Sequence, residues 1–369
     1  MDKIKKIITK ISQVDFEIMR KTQKRLDALT KPPGSLGRLE ELAKLIVGIT
    51  GENNPVMKNK VIFTLAGDHG VAEEGVSAYP QVVTAQMVAN FLKGGAGINI
   101  LAKHVGATVV VADLGVASKI PARPAGGRNS KFKTQNFRDK KIAFGTKNMA
   151  RGPAMSKRQA IKSIEAGIEI FEDEFFANRG EKNIDIIGLG EMGICNTTSS
   201  SAITAVLTGK KVEETTGRGT GLDDEGLKNK IRIIKKALRV NQPDPDDVLD
   251  VLAKVGGFEI GGLVGVILAA SAGKIPVVLD GFISGTAALI AAHLEPKTKN
   301  YLIAGHCSVE KGHRIILERL GLVPLLNLNL RLGEGTGAAL AISLVEVAVK
   351  ILTQMNTFKS AGVSEKIKS

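Results

Sequence analysis

The chain has 369 residues, 43% of them hydrophobic and 24% charged, and 51 Lys and Arg against 37 Asp and Glu give a net charge of 51 − 37 = +14. That length suits two domains, or one large α/β domain with an appendage, and the composition sustains a substantial soluble core. With no Trp, two Tyr and basic residues spread along the chain, single-stranded nucleic acid is a poor partner, because its binders set stacking aromatics beside a positive groove.

In chain order, residues 2–29 place Ile4, Ile7, Ile8, Ile11, Phe16, Ile18, Met19 and Leu26 at largely helical spacing. Lys31-Pro32-Pro33-Gly34-Ser35 stops that helix, and another starts at residue 36. One pattern then recurs: a short β-branched run, a Gly-rich polar stretch, a helical run. Strands are predicted at 61–65, 108–111, 184–187, 276–279, 301–303 and 322–326. They are nearly bare of polar residues and separated by helices, so the fold class is α/β, a parallel Rossmann-like sheet buried on both faces. Ligands gather outside the carboxyl ends of such strands, so all six polar stretches converge on one edge.

Between these elements, Arg123, Arg128, Lys131, Lys133, Arg138, Lys140, Lys141 and Lys147 face one Asp139 in a Gly-containing loop that reads as a mobile flap. Residues 243–247 read as a linker, and 358–369 as a frayed polar tail. Cys195 and Cys307 are too few for a disulfide framework and fit a reducing cytoplasm. No secretory signal is visible in residues 1–13, and the apolar region 260–272 is too short to span a bilayer. No membrane association is expected.

Three stretches carry chemistry. In Arg331-Leu332-Gly333-Glu334-Gly335-Thr336-Gly337 one carboxylate sits at a turn, fenced by glycines that let backbone or ligand approach closely. A Glu in apolar company holds its proton more tightly than in water, as a general base near neutrality must; the alternative is a Gly-rich turn whose Glu caps the next helix. Gly188-Leu189-Gly190-Glu191-Met192-Gly193 fits the dinucleotide pattern, with Glu213 about 20 residues on. Its mid-chain position and internal Glu, which repels a pyrophosphate, weaken a nicotinamide oxidoreductase reading. The run from Thr215 to Lys230 offers bare amides, a helix start and lysines, the requirements of one phosphate monoester. Tyr79, Gln86 and Met87 suit a flat apolar slot with one amide, or simply core packing.

Together with Lys31-Pro32-Pro33-Gly34-Ser35-Leu36-Gly37, Ala66-Gly67-Asp68-His69-Gly70-Val71 and the stretch from Gly145 to Met155, these segments resemble, in order and over nearly the whole chain, the nicotinate-nucleotide–dimethylbenzimidazole phosphoribosyltransferases. The resemblance implies transfer of phosphoribose from nicotinate mononucleotide to 5,6-dimethylbenzimidazole, giving α-ribazole 5′-phosphate and nicotinate, in assembly of the cobalamin lower ligand. It makes Glu334 the catalytic base with Glu191 in the same site. Gly193, Gly219, Thr220, Lys230 and Ser308 would hold the phosphate, and Tyr79, Gln86, Met87 and Leu332 would border the base slot. It implies a small helical domain from residues 1–50 and 338–369 beside an α/β domain of 51–337, a homodimer, and a cytoplasmic enzyme without cofactor. Two departures stand out: Cys195 where glycine is expected, and the charged loop after Arg123.

The residues suit that reaction. The pyridine nitrogen is cationic while bonded to ribose and departs neutral, so no general acid is needed; the acceptor sheds one proton, for which one carboxylate is enough. The leaving group is not pyrophosphate, so no metal is required to gather its charge, and His69, His306 and His313 read as structural. Glu191 is the best candidate to ease oxocarbenium charge. An idle nucleotide-binding module is the remaining alternative; it would bind the nucleotide without releasing nicotinate.

Overall fold

The computed structural model describes residues 1–120, 136–177 and 184–364. Most of the basic loop, including Arg123, Arg128, Lys131 and Lys133, lies outside the described residues, so the flap expectation is not addressed there.

Six parallel strands form one sheet: β1 (Lys60–Gly67), β2 (Ala107–Gly115), β3 (Phe137–Asp139), β4 (Ile186–Met192), β5 (Val277–Leu279) and β6 (Leu302–Ala304), in the order β3-β2-β1-β4-β5-β6. Side chains alternate across a strand. Val61, Phe63 and Leu65 therefore enter a core shared with the helices Lys157–Phe175 and Phe258–Ala272, while Ile62 and Ala66 enter a second core with Arg38–Thr50, Gly97–Val105 and Thr336–Gln354. Every residue of β1 is buried, as double coverage requires. Order reverses at β1 and β4, whose carboxyl ends deliver Gly67-Asp68-His69 and Met192-Gly193 to the switch point where such folds take ligands.

Two expectations are corrected. The sixth strand is β3, not residues 322–326. That run touches the sheet through a single parallel bridge of Leu326 to His306 and flanking backbone bonds, because it leaves the edge at once to carry the turn before Glu334. The Gly188-to-Met192 stretch, expected as a loop, is itself strand β4. Gly190 lies within the sheet because another segment's backbone presses on the strand there.

The N-terminal helical run is also two helices, Asp2–Ile8 and Phe16–Asp27, the second capped by Asp15, whose carboxylate accepts from the amides of Glu17 and Ile18 at 2.9 Å. Ile4 and Ile7 join the first core, whereas Leu26, Leu42 and Ile46 join the second beside Thr336–Gln354. That last helix is the one described segment long and apolar enough to cross a membrane, and it lies packed on β4, β5 and the helices of the second core.

Candidate active site

The segment before Thr336–Gln354 folds back onto the sheet in a strained turn. Gly333, Glu334 and Gly335 all have positive φ, 80°, 64° and 101°. A glutamate in the left-handed region costs free energy that the surroundings must supply. The turn is pinned from several sides: Thr64 Oγ1 donates to the Glu334 carbonyl at 2.9 Å, and the Asp280 carboxylate, at the end of β5, accepts from the amides of Gly335 at 3.2 Å and Gly337 at 2.6 Å. Asp280 therefore fills the capping role that the alternative reading gave to Glu334. The Glu334 carboxylate is left to point elsewhere, and Oε2 accepts from the Ile98 amide at 3.0 Å. Burial raises its pKa above the ordinary carboxylate value, the Ile98 amide opposes, and Asp280 adds to the rise.

Gly190 explains why β4 carries glycines. A Cβ there would stand 2.5 Å from the Glu334 carbonyl carbon and 2.7 Å from the Gly335 nitrogen, so the turn lies flat on the strand only because no side chain intervenes. One residue on, Glu191 sets a carboxylate oxygen where a Cβ on Gly333 would have to stand. Burial first, then Asp280 and Glu259, push the Glu191 carboxyl up to about 8, against a hydrogen bond from the Asn196 amide.

Glu191, Gly193, Gly219, Thr220, Ser308 and Leu332 line one cleft. Lys230 lies beneath its floor, fully buried, with Nζ 2.7 Å from Thr197 Oγ1 and burial pulling its amine down to about 8. The Gly219 loop is held on both sides: its amide donates to Glu310 Oε1 at 2.9 Å, and its carbonyl accepts from Arg331 at 3.3 Å. Thr220 Oγ1 accepts from the Ala78 amide at 3.1 Å and meets Ser77 Oγ at 3.3 Å, which sets Tyr79 beside the loop with its ring half-exposed. Tyr79, Gln86 and Met87 are not brought to the cleft wall; Gln86 is exposed and Met87 packs partly against the second core. Leu332 is 60% exposed, its Cδ2 3.0 Å from where Gly97 would carry a Cβ, so this end of the site is open.

Sequence reasoning missed Asp280, Asn196, Glu310 and Arg331, which share the cleft, and a buried pair beneath it. His69 Nε2 lies 2.6 Å from Glu259 Oε1 and its Nδ1 3.0 Å from Ser199 Oγ. Burial lowers the imidazole pKa, but the charge and hydrogen bond of Glu259 together with the charge of Asp68 outweigh it and the net shift is upward. Asp280 and Glu310 were signalled only as polar residues at strand ends; Glu259, inside an apolar helix, was signalled by its cost of burial. Cys195 has φ 78°, the physical reason glycine is expected there, and burial pushes its thiol up to about 12. Among the described residues no group of His, Cys, Asp and Glu has the geometry of a metal site.

A family model described as phosphoribosyltransferase matches residues 11–363. The chain is 56% identical over 365 residues to the nicotinate-nucleotide–dimethylbenzimidazole phosphoribosyltransferase of Desulforudis audaxviator, covering 99% of each, and 52% identical over 359 residues to that of Geobacter sulfurreducens, covering 97% of each. Its fold matches the crystal structure of CobT from Thermus thermophilus with a TM-score of 0.87 at 42% identity, over 95% of this chain and 100% of that one.

Proposed function

The chain belongs to the nicotinate-nucleotide–dimethylbenzimidazole phosphoribosyltransferase family, and from that premise we propose that its cleft moves phosphoribose from nicotinate mononucleotide to 5,6-dimethylbenzimidazole with Glu334 as base. The observation that carries the assignment is the buried, strained Glu334 carboxylate, on the turn whose residues Arg331, Leu332 and Gly333 line the Gly219 cleft while Glu334 itself is not among the residues that line it.

One acceptor ring nitrogen attacks C1′ while the C1′–N bond to the pyridine breaks, its electron pair returning to the ring nitrogen. The pyridinium thereby leaves as a neutral ring. The other acceptor nitrogen gives its proton to Glu334, and attack opposite the departing ring inverts β to α. Gly193, Gly219, Thr220, Lys230 and Ser308 hold the phosphate on this reading, and Leu332 borders the acceptor, with Tyr79, Gln86 and Met87, which do not line the cleft, assigned to the acceptor by the family resemblance alone. Support for the phosphate role comes from Lys230, whose stem and amine are buried under the Gly219 loop at the cost of proton affinity, which a dianionic ligand restores. Glu191, pushed up to about 8, enters as a carboxylic acid that donates a hydrogen bond and not as a negative charge, a change from the role expected of it.

Two flat rings and a phosphate held in line supply the remaining acceleration. The proposal extends to a homodimer acting in the cytoplasm, with the chain ends forming a small helical domain.

The test is release of nicotinate from nicotinate mononucleotide, dependent on added dimethylbenzimidazole. Glu334→Gln keeps the oxygen that accepts from Ile98 and so keeps the fold, but loses about 10²–10⁴-fold in turnover. Turnover near the wild-type rate in that variant removes Glu334 from the base role.

A further inference from the structure

The mechanism above leaves one cation unused. Among the described residues that line the cleft, Arg331 is the single Lys or Arg, and it shares those walls with Glu191, Asp280 and Glu310. Its contact with the Gly219 carbonyl uses one of the five donors of a guanidinium, and the side chain is exposed. Arg331 thus spans from the turn that carries Glu334 to the loop assigned to the phosphate.

Nicotinate mononucleotide brings two anionic groups to the site, a phosphate and a ring carboxylate. The phosphate has Lys230 and the Gly219 loop. The carboxylate, set beside Asp280 and Glu310, requires a cation of its own, because like charges opposed in a desolvated cleft repel strongly. The turn at 331–335 divides the site: Leu332 and the Glu334 carboxylate face Gly97 and Ile98, the acceptor side, while Arg331 reaches across to Gly219 on the nucleotide side.

We propose that Arg331 is a specificity-determining residue that reads the carboxylate of the departing ring and so separates nicotinate mononucleotide from its amide, nicotinamide mononucleotide. The inference rests on the transferase reading given above. A planar guanidinium matches a carboxylate in a two-point contact, which an ammonium does not reproduce. The bound nicotinate ring is net neutral, pyridinium against carboxylate, and becomes net −1 as the bond electrons return to nitrogen, so attraction to Arg331 grows along the reaction. The amide ring starts at +1 with no anion to offer, and meets repulsion.

The experiment compares wild type, Arg331→Met and Arg331→Lys, using acceptor-dependent base release from both nucleotides and calorimetric titration with free nicotinate, nicotinamide and inorganic phosphate. Arg331→Met is expected to lower kcat/KM for the nicotinate nucleotide about 10- to 100-fold, the worth of a hydrogen bond between charged groups, while leaving the nicotinamide nucleotide unchanged or improved. Nicotinate binding weakens and phosphate binding does not; Lys restores only part. An equal fall for both nucleotides, or weakened phosphate binding, assigns Arg331 to the phosphate or to the Gly219 loop and overturns the proposal. Unchanged selectivity overturns it as well. A wild type that releases no base refutes the transferase reading instead, and the nicotinate titration then still decides the role of Arg331.

Discussion

Replacing Gly190 with Ala tests how the base is held. The φ of Gly190 lies outside the left-handed region, so its own backbone tolerates a side chain and the obstacle is entirely its neighbour. The new Cβ would sit 2.5 Å from the Glu334 carbonyl carbon and nearer still to its oxygen, where ordinary contact begins at 3.4 Å, so strand and turn must part by more than 3.4 − 2.5 = 0.9 Å. The opposing atoms are backbone, and no rotamer change relieves them. Moving the turn that far also stretches the bonds from Thr64 to Glu334 and from Gly335 to Asp280. Overpacking of this kind costs about 1–3 kcal/mol, and a reacting group misplaced by about 1 Å loses about 10² in rate. The assay is nicotinate release at saturating substrates together with thermal denaturation. Gly188→Ala is the control: its Cβ would meet side-chain atoms of Ala338 at 3.2 Å and Ile342 at 3.3 Å, which yield by a few tenths of an ångström. Gly190→Ala should therefore lose about two decades in kcat while Gly188→Ala stays near wild type. Equal damage from both, or none from Gly190→Ala, refutes the reasoning that β4 carries glycine to seat Glu334.

Two further outcomes follow from buried charge. Lys230→Met keeps the stem and removes the charge; the nucleotide KM should rise at least about 10-fold with the acceptor KM unchanged, and an unchanged nucleotide KM contradicts the phosphate role. Because the amine titrates at about 8, wild-type nucleotide affinity should also fall above that pH, and the variant should lack the step. Glu191, with an ordinary value of 4.5 and a folded value of about 8, binds more protons folded than unfolded between those limits. Its contribution is complete below about 4.5 and lost as pH rises through about 8, so Glu191→Gln should flatten the decline in Tm over that window. Parallel Tm–pH curves for the two proteins would place the Glu191 proton elsewhere.

The sheet was legible because strands buried on both faces advertise themselves as short β-branched runs, and the glycine-rich ends of β1 and β4 marked the site edge. Residues 322–326 misled because the same apolar character serves a segment that only brushes the edge of β6. The run Gly188-Leu189-Gly190-Glu191-Met192-Gly193 misled in the other direction: its spacing matches a phosphate turn, yet what requires Gly190 is the backbone of a segment more than a hundred residues away, which no local pattern records. Arg331 and Asp280 were in plain view in the sequence but carried no periodicity, and their roles depend on which loops the topology brings together. Glu259 was hidden in the most apolar helix, because its partner His69 comes from another strand end.

The acidic groups around the switch point settle one another's roles. Glu259 has the His69 ring at 2.6 Å, Asp280 has the amides of Gly335 and Gly337 with the His306 ring at 3.5 Å, and Glu334 has the Ile98 amide. Among the described residues the Glu191 side chain has the Asn196 amide alone, and it feels the charges of Asp280, Glu259 and Glu334 together. Carboxylates crowded into low dielectric cannot all stay ionised, and the proton goes to the one with least support. A Glu191 carboxyl pushed up to about 8 keeps its proton at neutral pH, which on the proposed mechanism leaves Glu334 the better placed of the two to accept one from the acceptor ring. Burial, with Asp280 adding to it, also raises the proton affinity of Glu334, so the depth and the one neighbour that work against a charge on Glu191 also favour the proposed base role of Glu334.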